Sequence, residues 1–265
     1  MLGRHNPVMR RIRTLRRDPS LRRSERVFLA EGIHLAKEAL ASGVPIETFV
    51  VSPRLETTQE GRELLEAIRR RDLPIAETSD ATLRTVQDAR SPQPVVCLVR
   101  RQDLSAGELE RAVDEATLIV VLEGIQDPGN LGSILRSADG AGANLCFVCG
   151  RSVDPYHPRA VRSTMGSLFR VPVVEERLDS VVDRLRRSTV KLVGADARGG
   201  AEYDRAELAG PLAFIFGSEG AGLAPEVRDR LDLVLRIPLR EGVESLSVGA
   251  AAAVMLFEAA RQRRS

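Results

Sequence analysis

Three loops in the second half of the chain set glycines beside side chains able to do chemistry. The first is Leu122-Glu123-Gly124-Ile125-Gln126-Asp127-Pro128-Gly129-Asn130-Leu131-Gly132, which leads into a helical pattern bearing Arg136. The second is Phe216-Gly217-Ser218-Glu219-Gly220-Ala221-Gly222. The third runs from Ile237-Pro238-Leu239 through Gly242 to Ser245-Leu246-Ser247-Val248-Gly249. Glycine lets backbone approach a ligand closely, while Asn, Ser, Glu and Arg supply hydrogen bonds and charge. One such loop reads as a tight turn. Three of them, each following an apolar run, read as a built small-molecule site. Two common nucleotide sites are excluded by spacing: Gly217, Gly220 and Gly222 do not follow G-x-G-x-x-G, and no G-x-x-x-x-G-K-[ST] occurs. His5, His34 and His157 stand apart from cysteines and acids at ligand spacing, so no metal is expected. Cys146-Phe147-Val148-Cys149 is a lone CxxC on an apolar run and reads as core.

A second candidate function lies in charge. Residues 1–26 hold nine arginines, among them Arg10, Arg11, Arg13, Arg16, Arg17, Arg22 and Arg23, against Asp18 and Glu25. That segment carries +7 of a net charge of +2, which leaves the remainder at −5. A basic arm on an acidic body is the footprint of a polyanion partner, and the guanidinium fork suits phosphate oxygens. The bland alternative is a solvated basic helix. The arginines at 69–71, inside an ordinary helical pattern, show that this chain also uses arginine where no ligand is implied. Val8, Ile12 and Leu15 give too narrow an apolar face to anchor in lipid, so no membrane partner is expected. Aromatics make up 3% with no Trp, which argues against stacking single strands on rows of rings, and no DNA partner is expected.

These side chains need a scaffold. At 265 residues the chain fits one or two domains, and 43% hydrophobic with 29% charged residues is globular composition. No apolar run approaches 18 residues and the first residues lack a secretory h-region, so a cytoplasmic location is expected. In the first part, helical patterns at 8–17, 33–41, 58–71 and 79–87 alternate with strand patterns at 26–30, 46–51, 73–76 and 95–99. The stretch 100–115 has few large apolar residues and reads as a linker with at most one helical turn. Beyond it, near-continuous apolar runs at 117–122, 145–148, 169–174, 190–195, 212–216 and 233–237 predict strands of a mostly parallel sheet covered on both faces. Helices are expected over 131–141, 158–165, 178–187 and 245–263. The expected organisation is residues 1–103 as one domain with a basic N-terminal arm, 104–116 as linker and 117–265 as a second domain. In open α/β sheets ligands gather at the carboxyl ends of strands, which is where all three glycine loops fall.

Taken together, Asp127-Pro128-Gly129-Asn130-Leu131-Gly132 with Arg136, Phe216-Gly217-Ser218-Glu219-Gly220, and Ile237-Pro238 leading to Ser245-Leu246-Ser247-Val248 resemble the three motifs of the SpoU (TrmH-like) family of RNA ribose 2'-O-methyltransferases. Ser163-Thr164-Met165-Gly166-Ser167-Leu168-Phe169-Arg170 resembles the segment between its first two motifs. Arg22-Arg23 through Phe28-Leu29-Ala30-Glu31-Gly32-Ile33 is similar to the family's N-terminal substrate-binding domain. The resemblance implies an α/β chain in two parts. The first is a small N-terminal α/β RNA-binding domain like that of certain ribosomal proteins. The second is a C-terminal trefoil-knot (SPOUT) methyltransferase domain. It further implies S-adenosylmethionine as methyl donor, no metal, ribosomal RNA ahead of transfer RNA as substrate, and a homodimer. By resemblance Gly217, Ile237 and Leu246, with Phe216, Ser218 and Pro238, hold the donor. Arg136 matches the catalytic arginine, and Asn130, Glu219, Ser245 and Ser247 match further active-site positions. Arginine stays protonated, so stabilising the developing oxyanion suits it better than acting as a base. The third motif usually reads Ser-Leu-Asn-Val. Ser247 in place of Asn offers one hydroxyl for an amide, and is the one feature favouring the alternative of a non-catalytic RNA-binding factor.

Overall fold

The local start and stop signals are written at short range. In the computed structural model, which describes residues 1–87, 92–218 and 222–264, the first helix α1 spans Pro7–Arg17. Asn6 caps it by accepting from Val8 N–H at 2.9 Å, and Pro7 sits where a missing N–H costs nothing. Met9, Ile12 and Leu15 are fully buried along one face. The segment expected to be an arm is therefore part of a core, in one cluster with Val27, Leu29 and Val50. Asp18-Pro19, just past the expected helix over 8–17, ends one helix and starts another: Asp18 accepts from Ser20 N–H and caps α2 (Pro19–Glu25), which ends at Arg26 in the left-handed region at φ 55°. Strand β1 (Val27–Glu31), helix α3 (Ile33–Ser42), β2 (Ile46–Val51), α4 (Gln59–Arg70), β3 (Ile75–Glu77), α5 (Asp80–Arg84) and β4 (Val95–Arg100) follow. The sheet order is β1-β4-β2-β3, antiparallel except for the β2–β3 pair.

The chain divides into two units, Met1–Gln102 with Tyr156–Phe169, and Asp103–Pro155 with Arg170–Ser265. The expected linker is corrected: α6 spans Ala106–Asp114, opened by a reciprocal capping box between Ser105 and Glu108. Its two apolar anchors, Leu109 and Val113, pack into the second unit's core beside Val181 and Leu185. Two well-spaced side chains suffice to bury one face of a three-turn helix.

The second unit continues with β5 (Leu118–Glu123), α7 (Pro128–Gly140) and β6 (Leu145–Cys149). A short helix α8 (Pro158–Thr164) then belongs to the first unit. After β7 (Val173–Glu175) come α9 (Leu178–Arg187), β8 (Lys191–Ala195), β9 (Ala201–Glu202), β10 (Leu212–Phe216), α10 (Pro225–Arg228), β11 (Leu233–Arg236) and α11 (Val248–Arg263). The expected strand over 169–174 keeps only its end. Phe169 instead closes a single 3-10 turn and stacks on Phe28, 6.1 Å between centroids, so its apolar surface is buried within the first unit.

The seven-stranded sheet of the second unit has the order β7-β6-β5-β10-β8-β11-β9 and its pairings are parallel. Register decides where its loops emerge. Phe216 pairs with Leu122 on one side and with Ala195 on the other, and Ala195 pairs with Leu235. The carboxyl ends of four strands are thus level, and the segments after Leu122, Ala195, Phe216 and Leu235 leave side by side.

Candidate active site

The segments after Ala195, Phe216 and Leu235 enclose a cleft of about 450 Å³, within the range that holds a small-molecule ligand. Phe216, Gly217, Ser218, Ile237, Ser245 and Leu246 line it, together with Leu239, Gly222 and three residues of α11, Val248, Ala251 and Met255. The one candidate donor residue outside the lining is Pro238, which is exposed. Glu219 lies outside the described residues. Gly217 has no room for a side chain: a Cβ there would stand 2.1 Å from the Gly222 carbonyl oxygen. The backbone on both sides of that contact is in this way drawn together at the mouth of β10.

One further segment lines the cleft that the motif pattern did not single out, Ala195-Asp196-Ala197-Arg198 after β8. A signal was present, because this too is a loop after an apolar run and carries Gly199 and Gly200. Asp196 is buried. Burial works against its charge, but the Arg198 backbone N–H and guanidinium, with Arg228 close by, outweigh that and hold the carboxyl below the ordinary range. Its Oδ1 accepts from Arg198 N–H at 2.8 Å.

Helix α11 links the cleft to the first glycine loop. Val248, Ala251 and Met255 face the cleft, while Gly249 meets α7. A Cβ on Gly249 would lie 2.7 Å from Ser133 Oγ and 3.4 Å from Asn130 Oδ1, so a bare backbone lets the two helix starts meet. Asn130 sits in the first turn of α7, where Asp127 caps the helix by accepting from the Asn130 N–H at 2.9 Å. Arg136 lies further along the same helix, exposed, with no hydrogen-bond or ion-pair partner among the described residues. Neither Asn130 nor Arg136 lines the cleft itself.

Ser247 has a local task. It is the N-cap of α11 and accepts from Ala250 N–H at 3.3 Å. Asn and Ser are both strong N-caps, so the replacement keeps the helix start.

The basic segment divides by role. Arg22 is a correction: it is buried, and its guanidinium donates to the Leu15 and Arg16 carbonyls at the end of α1. Arg11 is held between Glu25 at 2.6 Å and Glu47 at 2.8 Å. Arg16 donates to the Gln87 carbonyl at 2.7 Å, and Arg13 to that of Arg4 at 3.3 Å. Arg10, Arg17 and Arg23 are exposed. Cys146 and Cys149 are buried on β6, and burial pushes the Cys149 thiol up to about 12. Among the described residues no group of three His, Cys, Asp or Glu is placed to hold a metal, and no helix is long and apolar enough to cross a membrane.

Known proteins share both parts of this chain. The model of the SpoU rRNA methylase family matches residues 117–257, and that of an MRM3-like substrate-binding domain matches residues 6–97. A 23S rRNA (uridine(2479)-2'-O)-methyltransferase of Streptomyces viridochromogenes is 34% identical over 90% of this chain and 84% of its own length. A 23S rRNA (guanosine(2553)-2'-O)-methyltransferase, RlmP, of Bacillus subtilis is 32% identical over 87% of each. The crystal structure of the SpoU methyltransferase AviRb of S. viridochromogenes in complex with AdoMet superposes with a TM-score of 0.86 at 29% identity, covering 98% of this chain and 99% of that one. The AdoMet-bound rRNA methyltransferase of Sinorhizobium meliloti gives 0.85 at 30% identity, covering 98% and 97%.

Proposed function

Because this chain belongs to the SpoU rRNA methylase family, we propose that it moves a methyl group from S-adenosylmethionine to a ribose 2'-hydroxyl of 23S ribosomal RNA. The observation that carries this reading is the cleft at the level ends of β8, β10 and β11, lined by Gly217, Ile237 and Leu246, beside a helix bearing the exposed Arg136. The apolar side chains of Phe216, Ile237, Leu246 and Met255 suit an adenine ring, and the backbone of Gly217 and Gly222 lines the same cleft. In the reaction the carbon–sulfur bond of the sulfonium breaks as the 2'-oxygen takes the methyl. The hydroxyl proton leaves to an acceptor and the neutral thioether departs. The sulfonium supplies the electrophile, so the enzyme's work is alignment and stabilising charge on the oxygen. Arg136 is suited to that charge and to an adjacent phosphate, and Asn130 to fixing the geometry at the start of the same helix. Two relatives that act on 23S rRNA favour ribosomal over transfer RNA. The non-catalytic alternative rests on Ser247, whose capping bond gives that residue a reason to be serine.

The finer expectations belong to the same reading. Exposed Phe257 on α11, beside Gly140 of α7, supports a homodimer formed over these helices. The crossing from β10 past β8 to β11, and the return of α11 against α7, support a trefoil knot in the second unit. A cytoplasmic location follows from a ribosomal RNA substrate. Isothermal titration with S-adenosylmethionine and S-adenosylhomocysteine tests the donor site. One-site binding of both is expected, and a folded protein that binds neither would end this reading.

A further inference from the structure

Asp196 holds a buried carboxylate oxygen that no described residue meets with a hydrogen bond. Its carboxylate is 3% exposed and lies in the wall of the cleft. The backbone around it is fixed, since Asp196 N–H donates to the Leu235 carbonyl at 3.0 Å and the Asp196 carbonyl accepts from Gly199 N–H at 2.9 Å. Oδ1 is occupied by the Arg198 N–H at 2.8 Å and Nε at 3.4 Å. Oδ2 is buried and has no hydrogen-bond donor among the described residues. Arg228 Nη1 approaches it only to 3.6 Å. A buried acceptor left unmet is costly, and native proteins fill nearly all such positions with protein, water or ligand.

Gly222, which also lines the cleft, packs beside that oxygen at φ +66°, and a Cβ there would stand 3.2 Å from Oδ2. Any side chain at 222 would crowd that oxygen, and the left-handed backbone already disfavours one.

The charges nearby select what can approach. Two guanidiniums, Arg198 and Arg228, pair with this single carboxylate. The group as a whole is cationic, so it does not attract the ammonium or the sulfonium of the donor. What remains is the directional lone pair of Oδ2, which suits a neutral donor group. The adenosine half of S-adenosylmethionine carries three such groups, the two ribose hydroxyls and the adenine amine.

Resting on the donor-site reading above, we infer that Asp196 Oδ2 accepts a hydrogen bond from an uncharged O–H or N–H of the donor's adenosine, making Asp196 a specificity-determining residue of the cleft. Asp196→Asn replaces the Oδ2 acceptor by an N–H donor while Oδ1 can stay on Arg198. Calorimetry would compare S-adenosylhomocysteine with its 2'-deoxy, 3'-deoxy and 6-deamino analogues on the wild-type protein and on this variant. The variant is expected to bind S-adenosylhomocysteine about tenfold more weakly. One analogue is expected to lose about as much on the wild type and to lose nothing further on the variant. Loss with a deoxy analogue identifies a ribose hydroxyl as the partner, and loss with the deamino analogue identifies the adenine amine. A merely structural Asp196 would instead give losses that add for all three analogues, which would overturn the inference. Should the variant not fold, the wild-type series still decides, because equal binding of all three analogues also overturns it. Failure of S-adenosylhomocysteine to bind the wild type would instead sink the donor-site reading.

Discussion

Among the described residues Arg136 has no hydrogen-bond or ion-pair partner. Arg184 is tied to Glu176 at 2.9 Å and Arg170 to Asp139 at 2.8 Å, whereas Arg136 stands exposed on α7. An unpaired guanidinium near a donor site suits the oxygen and phosphate of an RNA substrate. Arg136→Ala is expected to lower methyl transfer by about 100-fold or more, the usual effect of losing a charge-stabilising donor. Calorimetric affinity for S-adenosylhomocysteine should change less than about twofold, because Arg136 does not line the cleft. A parallel loss of donor affinity would move Arg136 from the reacting oxygen to the donor. Ser247 makes the contrasting case of a residue read by motif and explained by structure. Ser247→Ala should destabilise the protein by about 1 kcal/mol in urea unfolding, and Ser247→Asn by far less, since only the alanine removes the cap.

The helices show where periodicity suffices and where it does not. Strands β2 and β10 and helix α9 fall where their apolar patterns place them. Helix α2 is invisible to that reading because Asp18-Pro19 signals both an end and a beginning, and only the cap bond to Ser20 distinguishes them. Helix α6 escapes because just two of its residues are deeply buried. Phe169 escapes because a local apolar run cannot say which core it will join. The three motif loops of the site are legible as glycine next to polar side chains, but their meeting depends on the register that levels Leu122, Phe216 and Ala195. Asp196 escapes because its loop, though it follows an apolar run and carries Gly199 and Gly200, joins the others only through the register of β8 with β10 and β11. Helix α1 carries a prediction of its own, since its two faces do different work. Ile12→Ala should cost about 2–5 kcal/mol of stability by opening a cavity in the first unit's core. Replacing Arg10, Arg17 and Arg23 by Gln should leave the melting temperature nearly unchanged and reduce the salt dependence of RNA binding, by about 0.7–0.9 in log–log slope for each phosphate no longer neutralised. An unchanged slope would place the RNA footprint on another surface.

Across the whole chain, two units share the labour along lines that the charge distribution foreshadows. The N-terminal unit concentrates arginine, +7 within residues 1–26, on a scaffold that buries Met9, Ile12 and Leu15 beneath it. The C-terminal unit concentrates glycine-lined backbone at one edge of a parallel sheet. Binding a long polyanion and holding a small donor are separate physical problems, which call for surface charge in one case and a shaped cleft in the other, and the proposed function divides them between the two units. Ribose methylation is tested most directly by incubating the protein with 23S ribosomal RNA lacking the modification and methyl-labelled S-adenosylmethionine, then digesting the RNA with alkali. A 2'-O-methyl ribose blocks cleavage of the following phosphodiester, so label is expected in an alkali-resistant dinucleotide and is expected to vanish with Arg136→Ala. Label recovered in mononucleotides, as base methylation would give, or no label from a protein that binds the donor, would contradict a ribose methyltransferase.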